Sequence, residues 1–144
     1  MKTSPVKVLI DTNVVLDIAL NRIPFVEDAT VLWRLAEQKE ITGCVSNTSI
    51  TDIFYIVNKH AGKQKARGLI ADILDTFKLL DIDEEGFREA LNLDMADFED
   101  AVQYAVSTRH GCDVLVTINK ADYGERPSVL DPSEFIERIR TVGI

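Results

Sequence analysis

Histidine and cysteine are scarce in this chain, with two of each. With only His60 and His110 available, a histidine-based zinc site is disfavoured. Cys44 and Cys112 each stand beside an expected strand and are read as reduced, partly buried thiols, which points to a cytoplasmic address. Long apolar runs are missing too, so no membrane span is indicated. The opening Met1-Lys2-Thr3-Ser4-Pro5 leads into a short apolar stretch that ends at Asp11, too brief for the core of a secretion leader. No Gly-x-x-x-x-Gly-Lys loop and no Gly-x-Gly-x-x-Gly fingerprint occurs, which disfavours P-loop and dinucleotide-binding folds. Repeats, low-complexity stretches and linkers are also lacking, so residues 1–144 are expected to form a single domain with room for a core.

Charge is present, but unevenly. Of the net −8, all is carried by residues 81–100, which hold nine acids and one base, while acids and bases balance elsewhere at fifteen each. Such a segment suits a metal, a basic partner or a solvated face. It argues against strong metal-free binding of nucleic acid, which needs positive charge. An enzyme that meets phosphates through a bound cation stays open.

Short β-rich runs alternate with helical periodicity. Strands are expected over residues 6–11, 41–45, 78–82, 114–117 and 128–130. Helices are expected from 14 to 20, 26 to 38, about 50 to 59, 64 to 77, 84 to 91, 97 to 109 and 132 to about 141. In the helix at 97–109, Phe98, Ala101, Val102, Ala105 and Val106 form the apolar stripe. The pattern implies an α/β fold, a parallel sheet with helices on both faces.

Asp11 is the first residue of chemical interest, because it closes the buried run Val6-Lys7-Val8-Leu9-Ile10. An acid there stands at the carboxyl edge of the sheet, where open α/β folds bind ligands. A lone buried acid costs several kcal/mol, so Asp11 should lie in a cleft, paired or near a cation. Val114-Leu115-Val116 repeats the logic, followed by Thr117, Asn119 and Asp122. Asn119 and Asp122 also suit ordinary loop chemistry. Ser49-x-x-Asp52 resembles a capping box, though Asp52 borders the stripe of Ile50, Ile53, Phe54 and Val57 and could reach a cleft. Asp97 and Asp100 suit a helix N-terminus, yet Glu99 between them makes three carboxylates in four residues, which repel unless a cation sits nearby. Magnesium and manganese take oxygen ligands, and ions held by several carboxylates activate water and neutralise a phosphodiester under attack.

Together these motifs resemble the PIN-domain nucleases, close in style to the toxin half of VapBC-type toxin–antitoxin pairs. The resemblance covers nearly the whole chain. It is carried by Val8-Leu9-Ile10-Asp11-Thr12-Asn13-Val14-Val15-Leu16-Asp17, by residues 46–54, by Asp97-Phe98-Glu99-Asp100-Ala101-Val102 with Gly111, by Val116-Thr117-Ile118-Asn119-Lys120-Ala121-Asp122-Tyr123, and by Val129-Leu130-Asp131-Pro132-Ser133-Glu134-Phe135. It implies a three-layer α/β/α sandwich around a mainly parallel sheet and an Mg2+- or Mn2+-dependent endoribonuclease. Asp11, Asp52, Asp100 and Asp122 would be the acidic site, with Asp11, Asp100, Asp97 and Asp122 about the metal. Thr12, Asn13, Thr117 and Asn119 would orient carboxylates or the attacking water. Asp52 stands where the family usually carries Glu, and many relatives have Asp where Asn119 stands. An RNA substrate, a cognate antitoxin and a homodimer are implied as partners, with no membrane. Lys59, Lys63, Lys65 and Arg67 fall within nine residues and suit either contact with an RNA backbone or a solvated surface. Trp33, Phe54 and Tyr55 suit an interface or the core.

Three other readings compete. A haloacid-dehalogenase-like phosphatase needs a second acid two positions after the first, where Asn13 stands. A receiver-like domain wants an acidic pair at the first strand and a Lys after the fifth. A PIN-like fold that binds RNA or protein without cutting is the third.

Overall fold

Five short strands set the frame: β1 (Val6–Ile10), β2 (Ile41–Ser46), β3 (Lys78–Leu80), β4 (Val114–Val116) and β5 (Val129–Leu130). They come from a computed structural model that describes residues 5–142. Residues 1–4, which open the stretch read above as too brief for a secretion leader, and residues 143–144 lie outside the described part. All pairings are parallel and the order is β3-β2-β1-β4-β5. Such a sheet is covered on both faces, and the two-residue period of the strands divides their side chains between two cores. Val8, Ile10, Val45, Val114, Val116 and Leu130 enter one, and Leu9, Cys44, Leu80, Leu115 and Val129 the other.

The first core is closed by α1 (Thr12–Ala19), α2 (Val26–Glu37), α3 (Ile50–Ala61), α4 (Lys63–Thr76) and α7 (Pro132–Val142). The second is closed by α5 (Glu84–Asn92) and α6 (Phe98–Arg109). The result is the expected α/β/α sandwich. Within the first core Trp33 meets Phe77 edge-on, ring centroids 4.8 Å apart. Gly43 leaves the space for that pair, since a Cβ there would come within 2.8 Å of the Phe77 ring and of Ala36. Cys44 is buried and Cys112 half-buried, and both are free thiols. Among the described residues no helix is long and apolar enough to cross a membrane.

Boundaries differ from the periodicity where polar caps decide them. β1 stops at Ile10, and Asp11 caps α1 by accepting the Thr12 N–H, so the helix starts two residues early. β2 runs on to Ser46, whose hydroxyl caps a 3-10 turn over Asn47–Ser49. The capping box at Ser49 does not form, because the Ser49 side chain makes no cap bond. β3 ends at Leu80 rather than at 82, and Asp83 caps α5 through the Gly86 N–H. Phe98 is 46% exposed and outside the core, because the first turn of α6 stands over a pocket instead of over the sheet. Tyr55 is likewise 66% exposed at that pocket, while Trp33 and Phe54 pack against the first core.

Candidate functional site

Strand order reverses between β1 and β4: the chain runs outward from β1 through β2 to β3 on one side and through β4 to β5 on the other. The crevice beyond the carboxyl ends of two such strands is the preferred ligand site of open α/β sheets. Asp11 follows β1 and Thr117 follows β4, and Asp11 lines a pocket of about 650 Å³ at this place. Asp52 from α3, Asp97, Glu99 and Asp100 from the start of α6, and Asn119 and Asp122 from the turn after β4 line the same pocket. Asp11, Asp52, Asp100 and Asp122, expected from the sequence as one acidic site, thus line the same pocket, although they come from four separate segments. Asp17, the other acid of the first motif, is buried away from the pocket lining, with Arg22 Nη1 3.6 Å from its Oδ1. Burial raises its pKa, against the opposing pull of Arg22.

Asp11 is 5% exposed and fully hydrogen-bonded. Its Oδ1 accepts from the Thr12 N–H at 2.7 Å and from Gln103 Nε2 at 3.0 Å. Its Oδ2 accepts from the Thr117 hydroxyl at 2.8 Å and the Tyr123 hydroxyl at 3.3 Å. The lone acid of the sequence is thus paired with four donors from its own chain. Thr117 also accepts the Asn119 N–H at 3.0 Å, so it ties the loop after β4 to the carboxylate at β1. Thr12 donates to Ser49 Oγ at 2.6 Å, and Gln103 Nε2 lies 3.3 Å from each of those hydroxyls. Asn13 lines the pocket and is half-buried.

Asp97 is the N-cap of α6 and accepts the Asp100 N–H at 3.1 Å. Asp100 is the most perturbed carboxyl of the pocket. Burial, and then the charges of Asp11, Asp97 and Asp122, push its pKa from 3.8 up to about 6, against a smaller opposing effect of the Tyr123 hydrogen bond. The Tyr123 hydroxyl is pushed far above its ordinary value by burial, Asp11 and Asp100. Excess anionic charge of this kind is what a divalent cation relieves. The donors are all oxygens, the set that magnesium and manganese prefer. Among the described residues no three acidic, His or Cys side chains are already gathered into a cage for a cation, so an ion here would keep part of its shell as water, as magnesium commonly does.

Two site residues escape a reading of the sequence. Gln103 sits inside the apolar stripe of α6 and looks like an interruption of it, yet it is 4% exposed and reaches Asp11 just after β1, Thr12 of α1 and Ser49 in the turn before α3. Its place one helical turn after Asp100 is the signal that marks it. Tyr123 reads as loop filler beside Asp122, yet it is completely buried with its hydroxyl between two acids. The basic residues lie elsewhere: Lys59, Lys63, Lys65 and Arg67 are exposed along the end of α3 and the start of α4, outside the pocket lining.

A family model for the PIN domain matches residues 7–121. The chain belongs to the PIN domain family. Among curated proteins, the ribonuclease VapC1 of Aquifex aeolicus (strain VF5) is 26% identical over 141 residues, covering 94% of this chain and 97% of the relative. Two solved structures share the fold. A toxin–antitoxin complex from Klebsiella pneumoniae has a chain 21% identical, with a TM-score of 0.67 over 87% of this chain and 97% of its own. The DNA-bound VapBC of Salmonella typhimurium has one 16% identical, with a TM-score of 0.68 over 88% and 98%. The sandwich is therefore shared with those two structures, and the acidic pocket of this chain opens at its switch point.

Proposed function

We propose that this PIN domain is an endoribonuclease that cuts phosphodiester bonds with Mg2+ or Mn2+ at the Asp11–Asp52–Asp100–Asp122 pocket, and that it is the toxin half of a toxin–antitoxin pair. The observation that carries the reading is the lining of one pocket by carboxylates from four segments, where burial, and then the charges of Asp11, Asp97 and Asp122, push the Asp100 pKa up to about 6. The 26% identical ribonuclease, aligned along nearly its whole length, supports the reaction class. Similarity to chains of toxin–antitoxin assemblies supports an antitoxin as partner.

Asp11 and Asp100 would be the inner ligands, with Asp97 and Asp122 acting from the rim and Asp52 facing the incoming strand. Bound there, a divalent cation lowers the pKa of water and neutralises the phosphate under attack. The chain's own residues prepare that chemistry. Thr12, Gln103, Thr117 and Tyr123 fix the Asp11 carboxylate, and Asn13 and Asn119 offer neutral polar groups to water or phosphate oxygens. Tyr55, Phe87 and Phe98 form an exposed aromatic rim around the acids, suited to the faces of unpaired bases. On α3, Asp52, Tyr55 and Ile56 line the pocket, and Lys59 follows at the spacing of the same helix face, where it can meet the phosphate backbone.

Purified protein should cut RNA when Mn2+ or Mg2+ is supplied, and the rate should fall by about a thousandfold in excess EDTA, since a catalytic ion contributes several kcal/mol. Undiminished cutting in EDTA would reject the cation mechanism. Absence of cutting with either ion, in protein that still binds RNA, would instead favour a PIN fold that binds without cleaving. Phe98→Ala should raise KM for RNA by about tenfold with little change in kcat, the loss expected for one base stacked on an aromatic ring. An unchanged KM would remove the rim from substrate binding.

A further inference from the structure

The Asp11 carboxylate offers about four acceptor positions, and its own chain fills them. Three donors are short: the Thr12 N–H at 2.7 Å, Thr117 at 2.8 Å and Gln103 at 3.0 Å. The fourth, the Tyr123 hydroxyl, is the longest at 3.3 Å, and of the four only it reaches a second acid, with Asp100 Oδ1 at 3.5 Å. One phenolic proton cannot serve both anions at once. The hydroxyl therefore stands between the two carboxylates as a shared, loosely held donor.

The rest of Tyr123 is held firmly. Its ring is fully buried in the second core. Its carbonyl accepts from Arg126 Nη1 at 2.6 Å, and the same guanidinium lies 4.7 Å from the centroid of the Tyr104 ring on α6. Arg126 thus pins the turn that carries Asp122 and Tyr123 against the helix that carries Asp100. A hydroxyl placed so rigidly between two acids is more than core filling, because the ring alone would pack as phenylalanine.

We propose that Tyr123 is a positioning residue of the cation site: its hydroxyl holds the facing oxygens of Asp11 and Asp100 in register so that both carboxylates can share one divalent cation. The inference rests on the divalent-cation reading above and adds a residue to it. Groups that orient ligating carboxylates through hydrogen bonds typically govern metal affinity by about ten- to a hundredfold. An ion held by Asp11 would take the place of one of its four donors, and the Tyr123 hydroxyl, at the longest of those contacts and already 3.5 Å from Asp100, is the one that could shift its proton to the other carboxylate and orient it.

Tyr123→Phe isolates the oxygen and keeps the ring, so the core stays filled. Titration with Mn2+, followed by the loss of the free-ion electron paramagnetic resonance signal, is expected to give an affinity about tenfold weaker than wild type. The cation-free melting temperature should stay within a few degrees of wild type. Cleavage by the variant should recover as Mn2+ is raised, whereas Asp11→Asn should not recover. Equal Mn2+ affinity in Tyr123→Phe and wild type would overturn the positioning role and leave the cation reading intact. Tighter binding by the variant would overturn it as well, by making the hydroxyl a competitor of the ion. Failure of the wild-type protein itself to bind Mn2+ would remove both readings together.

Discussion

Asp100→Asn is expected to abolish RNA cleavage and, at the same time, to raise the melting temperature of the cation-free protein at pH 8. The two effects share a cause. In the folded chain the Asp100 pKa stands near 6, above its ordinary 3.8, because the group is partly buried and faces Asp11, Asp97 and Asp122. Between those two values the folded state holds the proton and the unfolded state has released it. The contribution of Asp100 to stability is therefore complete below about pH 3.8 and is lost as pH rises through about 6. Ionised Asp100 does gain from the first turn of α6, where the helix dipole favours a negative charge by about 0.3–1 kcal/mol. The upward shift shows that burial and repulsion outweigh that gain. The substitution removes the charge and keeps an oxygen to accept from Tyr123, so the variant should melt a few degrees above wild type at pH 8 and level with it near pH 4. Mn2+ should raise the melting temperature of wild type at pH 8 and leave the variant nearly unmoved. Calorimetry across pH tests this. A variant less stable than wild type at pH 8 would mean that Asp100 is not held against repulsion.

Asp11→Asn should also lose most of its cleavage and move stability the other way. Every acceptor position of the Asp11 carboxylate faces a donor. The asparagine amide would turn one oxygen into a donor: facing Thr12 N–H and Gln103 it would meet two donors, and facing the Thr117 and Tyr123 hydroxyls, which can accept, it would take away the anion to which they donate. Hydrogen bonds to a buried charged acceptor contribute about 1.5–3 kcal/mol each. Relief of the repulsion with Asp100 offsets part of the loss, so a net cost of about 2 kcal/mol and a melting temperature about 5 °C lower are expected. Cleavage should drop by about a hundredfold or more, the scale seen when a preorganised electrostatic group is lost from an active site. Active Asp11→Asn protein would take the site away from this pocket. The pair of asparagine variants is thus diagnostic: the same chemical change at two acids of one pocket, with the same effect on activity and opposite effects on stability.

The contrast also marks where sequence reading stops. Short apolar runs ending in polar residues announce parallel strands and the edge at which ligands bind. That logic, applied to Asp11 and to Thr117, Asn119 and Asp122, finds the pocket from two strands alone. Caps are local as well, and Asp97 is where its spacing puts it. What spacing cannot reveal is which polar group turns inward. Ser49 has the sequence of a helix cap and spends its hydroxyl on Thr12 and Gln103 instead. Gln103 looks like a flaw in a core stripe and is the hub of the network. Phe98 has the spacing of core and lies at the pocket mouth, because the stripe outruns the sheet beneath it. Each depends on a contact between residues far apart in the chain, and the helical period carries no information about such contacts.

The sheet order has a dynamic consequence. β1, which presents Asp11, is paired on both sides, whereas Asp122 and Tyr123 hang from a short turn beside β5, an edge strand of two residues. Regions with few paired neighbours open locally at lower free energy than the centre of a fold. The acids of one pocket therefore belong to units of unequal endurance. On heating, the edge strand β5 is expected to open before β1, which leads into Asp11, with the Arg126 contacts to Tyr123 and Tyr104 as the main restraint on the turn that carries Tyr123.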